Sequence, residues 1–175
     1  MERVVIFIDG SNFYHALKGC FGTAAIDFAK LATLLAGSRK LVRIYYYNAP
    51  INQAEEPDKF RNQQRFFNQL RLVPYLDLKL GRLEKRRGTV VEKGVDVNIA
   101  VDMLRLAYKD TYDTAILISG DGDFAAAVEA VKDLGKHVEN AFPRKGWSRH
   151  LRNACDKFVK LSEDFLDQCW VTPIS

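Results

Sequence analysis

The sequence predicts a single α/β domain with a central, mainly parallel sheet of five or six strands flanked by helices. Short, almost entirely apolar runs recur along the chain, as expected for strands that are covered on both faces. Amphipathic helical stretches alternate with these runs almost to the end, which is the pattern of an α/β protein. With 175 residues, 47% of them hydrophobic, residues 1–175 have the size and composition of one folded domain.

The first predicted elements are one strand and two helices. The apolar run RVVIFID at residues 3–9 is the first strand, and it ends at an Asp-Gly pair. A helix over about residues 12–18 follows. A second helix, over about residues 27–35, has Asp27 as its N-cap signal and Gly37 as its stop signal.

The middle of the chain adds a strand, a long helix and two shorter strands. The run LVRIYYYN at residues 41–48 is rich in β-branched and aromatic residues, which favour strands. Residues 57–72 carry Phe and Leu side chains at helical spacing and predict a helix. Residues 74–80 and 89–92 are predicted as shorter strands around a basic, hairpin-like segment.

The C-terminal part repeats the alternation of helix and strand. Residues 95–108 form a predicted helix with an apolar face, and TAILIS at residues 114–119 is another fully buried strand. This strand also stops at a Gly-Asp turn. The remaining predicted elements are helix 123–134, strand 136–142, short helix 148–155 and strand 158–161 before a terminal helix.

The composition excludes a membrane span and indicates a reducing compartment. The longest apolar runs are strand-sized, far below the roughly 20 residues needed to cross a bilayer. The N-terminus enters a strand directly, without the basic start, apolar region and cleavage site of a signal peptide. Three widely spaced cysteines match neither a disulfide framework nor a metal knuckle. We therefore expect a cytoplasmic protein with no membrane partner.

The formal charge of +4 is concentrated in one segment. Residues 79–93 carry six basic and two acidic side chains, so the rest of the chain sums to zero. A second basic group surrounds Trp147 near the C-terminus. Both segments are either solvated surface or a contact surface for a polyanion. The candidate substrate-binding residues in them are Arg82, Lys85, Arg86, Arg87, Arg144, Lys145 and Arg149.

Four aspartates fall where open α/β sheets bind ligands, beyond the carboxyl ends of the strands. Asp9 ends the first strand, and Asp121 and Asp123 follow the strand at residues 114–119. Asp96 stands in the first turn of a predicted helix. Each alone is readily explained as a cap or turn former, but carboxylates that converge resist ionisation unless a cation lies between them. Oxygen-only clusters of this kind suit Mg²⁺ or Mn²⁺.

Three segments carry a family resemblance, namely VVIFIDGSNFY, EKGVDVNIAVDML and ILISGDGDFAAAV. In this order and spacing they resemble the NYN domain, a branch of the PIN-like nucleases, and more closely its bacterial LabA-like (DUF88-type) members. The resemblance covers residues 4 to about 161. It implies a three-layer PIN-like fold and an acidic metal site used for phosphodiester hydrolysis, often of RNA.

The resemblance also implies roles for particular residues. The metal-holding and catalytic carboxylates would be Asp9, Asp96, Asp121 and Asp123. Asn12 matches the motif asparagine and would hydrogen-bond an Asp or the phosphate. Lys93 and Ser119 match flanking positions, and Lys93 would hold a carboxylate or contact the nucleic-acid backbone. Asp102 matches a further acidic position, yet six residues of helix turn it about 120° away from Asp96.

The sequence thus predicts a ribonuclease that uses Mg²⁺ or Mn²⁺ and acts on RNA, with single-stranded DNA as the alternative substrate. One rival interpretation keeps the fold without turnover, as an RNA-binding or regulatory module. Another is a phosphatase of the haloacid dehalogenase type, because GDGD at residues 120–123 resembles a metal motif of that family. That family needs Asp-x-Asp after the first strand, where this chain has Ser11. Whether the chain forms a homodimer stays open.

Overall fold

A computed structural model describes residues 1–171 of the chain. A short 3-10 helix, Gly122–Phe124, precedes α5. The other elements are β1 (Arg3–Asp9), α1 (Gly10–Phe21), α2 (Phe28–Ala36), β2 (Lys40–Asn48), α3 (Pro57–Leu70), β3 (Leu76–Leu80), β4 (Arg82–Arg86), β5 (Thr89–Lys93), α4 (Val95–Tyr108), β6 (Thr114–Ile118), α5 (Ala125–Asp133), β7 (His137–Phe142), α6 (Arg149–Ala154), β8 (Lys157–Lys160) and α7 (Glu163–Leu166).

Six of the strands form one sheet in the order β3-β2-β1-β6-β7-β8. Every pairing in this sheet is parallel, so the prediction of a mainly parallel sheet of five or six strands is confirmed. β1 and β6 lie at the centre, and both are almost fully buried. This burial explains why their sequences are continuous apolar runs and do not alternate with polar residues.

Helices cover both faces of the sheet and make the fold three-layered. One core joins alternate sheet residues such as Ile6 and Ile8 to the apolar sides of α1, α2 and α3. The other core joins Val5 and Phe7 to α4, α5 and α6. None of the helices within residues 1–171 is long and apolar enough to span a bilayer.

The basic segment corrects one prediction from the sequence. β3 joins the main sheet, whereas β4, inside the charged run, pairs antiparallel with β5 as a separate hairpin. Arg87 and Gly88 connect the two strands with φ of 49° and 80°, as the favoured two-residue hairpin turns require. A charged run does not resemble a buried strand, which is why sequence patterning missed β4.

Two further element boundaries differ from the prediction. α1 begins at Gly10, directly after Asp9, and it ends at Phe21, so it is longer than residues 12–18. The predicted helix 123–134 opens as the 3-10 turn and continues as α5. The predicted cap of α2 is confirmed, because the Asp27 side chain accepts a hydrogen bond from the Lys30 N–H over 3.1 Å.

Candidate active site

The strand order creates a crevice beyond the carboxyl ends of β1 and β6. From β1 the chain continues to β2 and β3 on one side, whereas from β6 it continues to β7 and β8 on the other. Connections that diverge in this way leave the opening in which open α/β sheets bind ligands. Asp9 is the last residue of β1, and Ser119 directly follows β6. The fold therefore brings these two side chains to the same crevice.

Asp9 and Ser119 both lie on the α4 side of the sheet. Val5 and Phe7 of β1, and Leu117 of β6, belong to the core beneath α4, and alternate residues of a strand share a face. Asp9 is only 5% exposed. The Ser119 hydroxyl donates a hydrogen bond to Asp9 Oδ2 over 3.0 Å. A buried carboxylate is thus held by a neutral donor from the neighbouring strand end.

Asn12, in the first turn of α1, ties the two strand ends together. Its Oδ1 accepts a hydrogen bond from the Gly120 N–H over 2.8 Å and lies 3.4 Å from the Ser119 Oγ. The Ser119 Oγ in turn accepts from the Asp121 N–H over 3.1 Å. This neutral network fixes the turn after β6 relative to α1, and it does so through the residues that the sequence motifs contain.

The turn after β6 requires glycine because other backbone packs closely against it. A Cβ at Gly120 would stand 1.9 Å from the carbonyl oxygen of Gly146, in the loop after β7. Asp121 then caps the 3-10 helix, with its Oδ1 accepting from the Asp123 N–H over 2.9 Å. Asp123 itself is exposed at the surface of the crevice. The loop after β7 therefore supports the acidic turn from behind.

Asp96 reaches the crevice from the first turn of α4. Burial raises the pKa of its carboxyl, and the negative charges of Asp121 and Asp123 raise it further. A charge has this effect only at short range, so the four predicted aspartates lie within electrostatic reach of one another. They come from three different parts of the chain, namely β1, α4 and the turn after β6.

Asp9 carries the largest electrostatic perturbation in this cluster. Burial raises its pKa from the ordinary 3.8 to about 7, and the charges on Asp96 and Asp121 add to the effect. The Ser119 hydroxyl and the backbone N–H of Asn12 lower it, because both donate to the charged form. Without a cation, the folded chain therefore protonates Asp9 over a pH range in which an exposed Asp is fully ionised.

The carboxylates are close to one another but are not arranged around one point. Within residues 1–171, no three Asp, Glu, His or Cys side chains stand close enough together to hold one ion. The donor set itself is all oxygen, which suits hard divalent cations such as Mg²⁺ and Mn²⁺. The chemistry of the residues fits such an ion, while the positions of the side chains leave the metal role to be tested.

Asp102 lies outside the cluster. Its Oδ2 accepts from the Tyr47 hydroxyl over 2.8 Å, and its Oδ1 accepts from Arg105 over 3.0 Å. These two contacts, on the other side of α4 from Asp96, agree with the rotation of about 120° expected from helix geometry. Asp102 therefore joins α4 to β2, and its acidic character is accounted for by those partners.

Lys93 does not contact the aspartates. Its Nζ pairs with Glu84 Oε2 across the hairpin over 2.9 Å, and Arg86 Nε lies 3.6 Å from the same carboxylate. The predicted contact between Lys93 and a carboxylate of the cluster is therefore replaced by one inside the hairpin. The remaining cations of this segment are exposed, and they are Arg82, Lys85 and Arg87.

The second basic group occupies the loop after β7 and the start of α6. Arg144, Lys145 and Arg149 are all exposed. Gly146, in the same loop, is the residue that packs against Gly120, so these cations flank the acidic turn. Trp147 is partly buried, edge-on to Phe158 with ring centroids 4.9 Å apart. It contributes to packing beneath the loop.

Asn140 is a supporting residue that the sequence analysis did not single out. It is fully buried in β7, and its Nδ2 donates to the carbonyl oxygens of Leu117 and Ser119 over 3.0 and 2.9 Å. Its Oδ1 has no hydrogen-bond partner within the described part of the chain. The signal was a lone amide inside the run HVENAF, because a buried polar side chain in a strand needs a specific partner.

Comparison with known proteins now adds the family. Residues 3–163 match the NYN domain. The chain belongs to the NYN domain family. NYN domains are typically nucleases of the PIN-like superfamily, and the family and fold expected from the three sequence motifs are therefore confirmed. Membership in this family removes the basis for the haloacid dehalogenase interpretation.

Individual relatives agree with this assignment. The low amplitude and bright protein LabA of Synechococcus elongatus is 27% identical over 169 residues, which cover 93% of this NYN chain and 85% of LabA. An uncharacterised protein of Methanocaldococcus jannaschii is 35% identical over 71 residues, 41% of this chain and 30% of that protein. The crystal structure of a protein of unknown function from Vibrio parahaemolyticus superposes with a TM-score of 0.78 at 26% identity, covering 94% of this chain and 96% of that one.

Proposed function

We propose that this NYN domain is a metal-dependent ribonuclease that hydrolyses phosphodiester bonds. The observation that supports this most directly is the mutual electrostatic influence of four carboxylates at the switch point of the sheet. A fold gains no stability from placing like charges together, so such a cluster indicates a function that uses a cation.

The proposed metal ligands are Asp9, Asp96, Asp121 and Asp123. A Mg²⁺ or Mn²⁺ ion held there would activate a water molecule and stabilise charge on the scissile phosphate. The Ser119 hydroxyl holds Asp9 Oδ2, and the Asn12 amide holds the turn that carries Asp121. These neutral groups orient the carboxylates without adding positive charge that would compete with a cation.

The exposed cations would bind the substrate backbone. Lys93 and the hairpin residues Arg82, Lys85, Arg86 and Arg87 lie immediately before α4, whose first turn carries Asp96. Arg144, Lys145 and Arg149 lie beside the turn that carries Asp121. Contacts to phosphate fix the position of a nucleic acid without reading its sequence. This arrangement gives two basic borders to one acidic crevice.

A second candidate is an RNA-binding module without turnover. It is favoured by one observation, that no three potential ligand side chains within residues 1–171 stand in a geometry that holds an ion. Both candidates predict RNA binding through the basic borders, but only the nuclease predicts cleavage that depends on the carboxylates.

The test is cleavage of labelled single- and double-stranded RNA and DNA by the purified chain, with Mn²⁺, Mg²⁺ or a chelator. The nuclease proposal expects cleavage of RNA with metal, no cleavage in chelator, and loss of cleavage in Asp121→Asn. Asp133→Asn is the matched control, because this exposed residue ends α5, far from the acidic turn. If the parent chain binds RNA but cleaves nothing with either metal, the binding module is the correct interpretation.

A further inference from the structure

A groove separate from the acidic crevice lies where the last turn of α1 meets the end of β8. It has a volume of about 260 Å³. Its lining residues are Cys20, Phe21, Arg144, Lys145, Lys160, Leu161, Ser162 and Glu163. Lys160 and Phe21 belong to none of the sequence motifs discussed above.

The groove has an apolar floor and a cationic rim. Phe21 and Leu161 supply the floor, and the Phe21 ring is held edge-on by Trp170 with centroids 5.5 Å apart. Arg144, Lys145 and Lys160 are exposed and take part in none of the ion pairs of the described residues. Unpaired cations beside an apolar surface match a ligand that has both a flat apolar part and an anionic part.

Two structural links connect the groove to the acidic crevice. α1 begins beside Asp9 and ends in the groove, and the eight residues from Asn12 to Cys20 correspond to about 12 Å along the helix axis. The loop after β7 also joins them, because it carries Arg144 and Lys145 on the groove side and Gly146 against Gly120. A strand with its scissile phosphate in the crevice would reach the groove about three to four nucleotides away, at 3.4 Å per stacked nucleotide.

We infer that this groove binds one nucleotide of a single-stranded nucleic acid, with the base against Phe21 and the phosphate among Arg144, Lys145 and Lys160. The volume is below the roughly 300 Å³ at which pockets for drug-sized ligands begin, which suits one nucleotide unit and excludes a duplex. This inference rests on the proposed function for the position of the scissile phosphate. Glu163, the one carboxylate of the lining, lies in the first turn of α7 and opposes the phosphate.

The experiment measures binding and cleavage separately. Fluorescence anisotropy in chelator gives the affinity of the full chain for single-stranded RNAs of about four and about twelve nucleotides, over a range of salt concentrations. Lys160→Ala should weaken binding of the longer RNA about threefold or more and flatten its salt dependence by a slope of about 0.7. The shorter RNA, which cannot span crevice and groove together, should be affected much less.

Three further variants sharpen the result. Phe21→Leu keeps an apolar side chain against Trp170 but removes the stacking surface, and it should weaken the longer RNA about fivefold or more. Glu163→Gln should tighten binding, because it removes a negative charge beside the phosphate. Lys157→Ala is the matched control, since it removes an exposed lysine from the opposite end of β8 and should change nothing.

The outcomes distinguish this inference from the proposed function. If Lys160→Ala binds the longer RNA as Lys157→Ala does, the groove is not a nucleotide site, whether or not the chain cleaves RNA. If the parent cleaves nothing with Mn²⁺ but Lys160→Ala still weakens binding in chelator, catalysis fails and the groove stands. Equal binding of duplex and single strand would also overturn the groove assignment. Parallel assays with single-stranded DNA of the same sequence show which nucleic acid the groove accepts.

Discussion

Replacing Asp9 by Asn should stabilise the chain above neutral pH and remove most of the pH dependence of its stability. Asp9 is buried, and its pKa rises from 3.8 to about 7 on folding. Between those two pH values the folded chain keeps a proton that the unfolded chain has lost. The free energy of unfolding therefore falls as the pH rises through this window, and the loss is complete above about pH 7.

The size of the effect follows from the pKa change. At about 1.4 kcal/mol for each pKa unit, the rise from 3.8 to about 7 costs the folded state about 4 kcal/mol. Asparagine has no charge to bury, so it avoids this cost. Its Nδ2 must find room beside the Ser119 hydroxyl, which now donates to a carboxylate oxygen, and we therefore expect a net gain of about 2 kcal/mol.

The assay is urea unfolding in chelator between pH 4 and pH 9, the range that brackets the titration of Asp9 from 3.8 to about 7. The parent should lose stability as the pH rises, and Asp9→Asn should lose much less. Asp27→Asn is the matched control, because it removes a carboxylate that caps α2 and Asn caps a helix as well as Asp. It should follow the parent curve. A parent whose stability is flat over this range, or an Asp9→Asn variant no more stable than the parent at pH 9, would refute the reasoning.

Three further changes separate catalysis, binding and folding. Asp121→Asn should reduce Mn²⁺-dependent RNA cleavage by orders of magnitude while RNA affinity in chelator is kept or rises, because a carboxylate no longer repels the phosphate. Gly120→Ala should lower the free energy of unfolding by about 3 kcal/mol, because its Cβ would stand 1.9 Å from the Gly146 carbonyl oxygen. Loss of the hairpin cations should weaken RNA binding for all sequences alike and flatten its salt dependence by about 0.7 per phosphate contact, when Ala replaces Arg82, Lys85, Arg86 and Arg87 together.

Each of these predictions has a defined contrary result. Equal cleavage by Asp121→Asn and the parent removes Asp121 from the reaction. An unchanged salt slope in the hairpin variant returns that segment to solvated surface. For Gly120→Ala the comparison is Gly19→Ala, where an added Cβ meets nothing within 4 Å and α1 should gain up to about 1 kcal/mol. If both glycine variants unfold alike, close packing against Gly146 is not what selects glycine at position 120.

The sequence predicted the fold because its central strands are unambiguous. β1 and β6 are buried on both faces, and continuous apolar runs are what such strands require. Their carboxyl ends carry Asp9 and the Asp121 turn, so the rule that ligands bind beyond strand ends located the crevice before any coordinates were known. Helix geometry alone also separated Asp102 from Asp96, and the hydrogen bonds of Asp102 to Tyr47 and Arg105 explain where it goes.

What the sequence left out depends on contacts between distant segments. β4 is a charged strand in a two-stranded hairpin, so no buried face marks it in the sequence. Lys93 matches a family position, but its nearest carboxylate in the fold is Glu84, from the facing strand. The role of Asn140 likewise exists only because β7 pairs with β6 in register. Such partners are chosen by tertiary approach, on which local patterns carry no information.

The division of labour among the polar residues explains how the fold tolerates its acidic crevice. Carboxylates that face one another cannot hold a site together, because their repulsion favours separation or protonation. The attachments are instead neutral, with Ser119 joining β6 to Asp9 and Asn12 joining α1 to the turn after β6. Because these bonds do not depend on a bound cation, the crevice is formed in its absence, and the electrostatic cost remains in the raised pKa of Asp9. A cation that binds there would recover that cost as affinity.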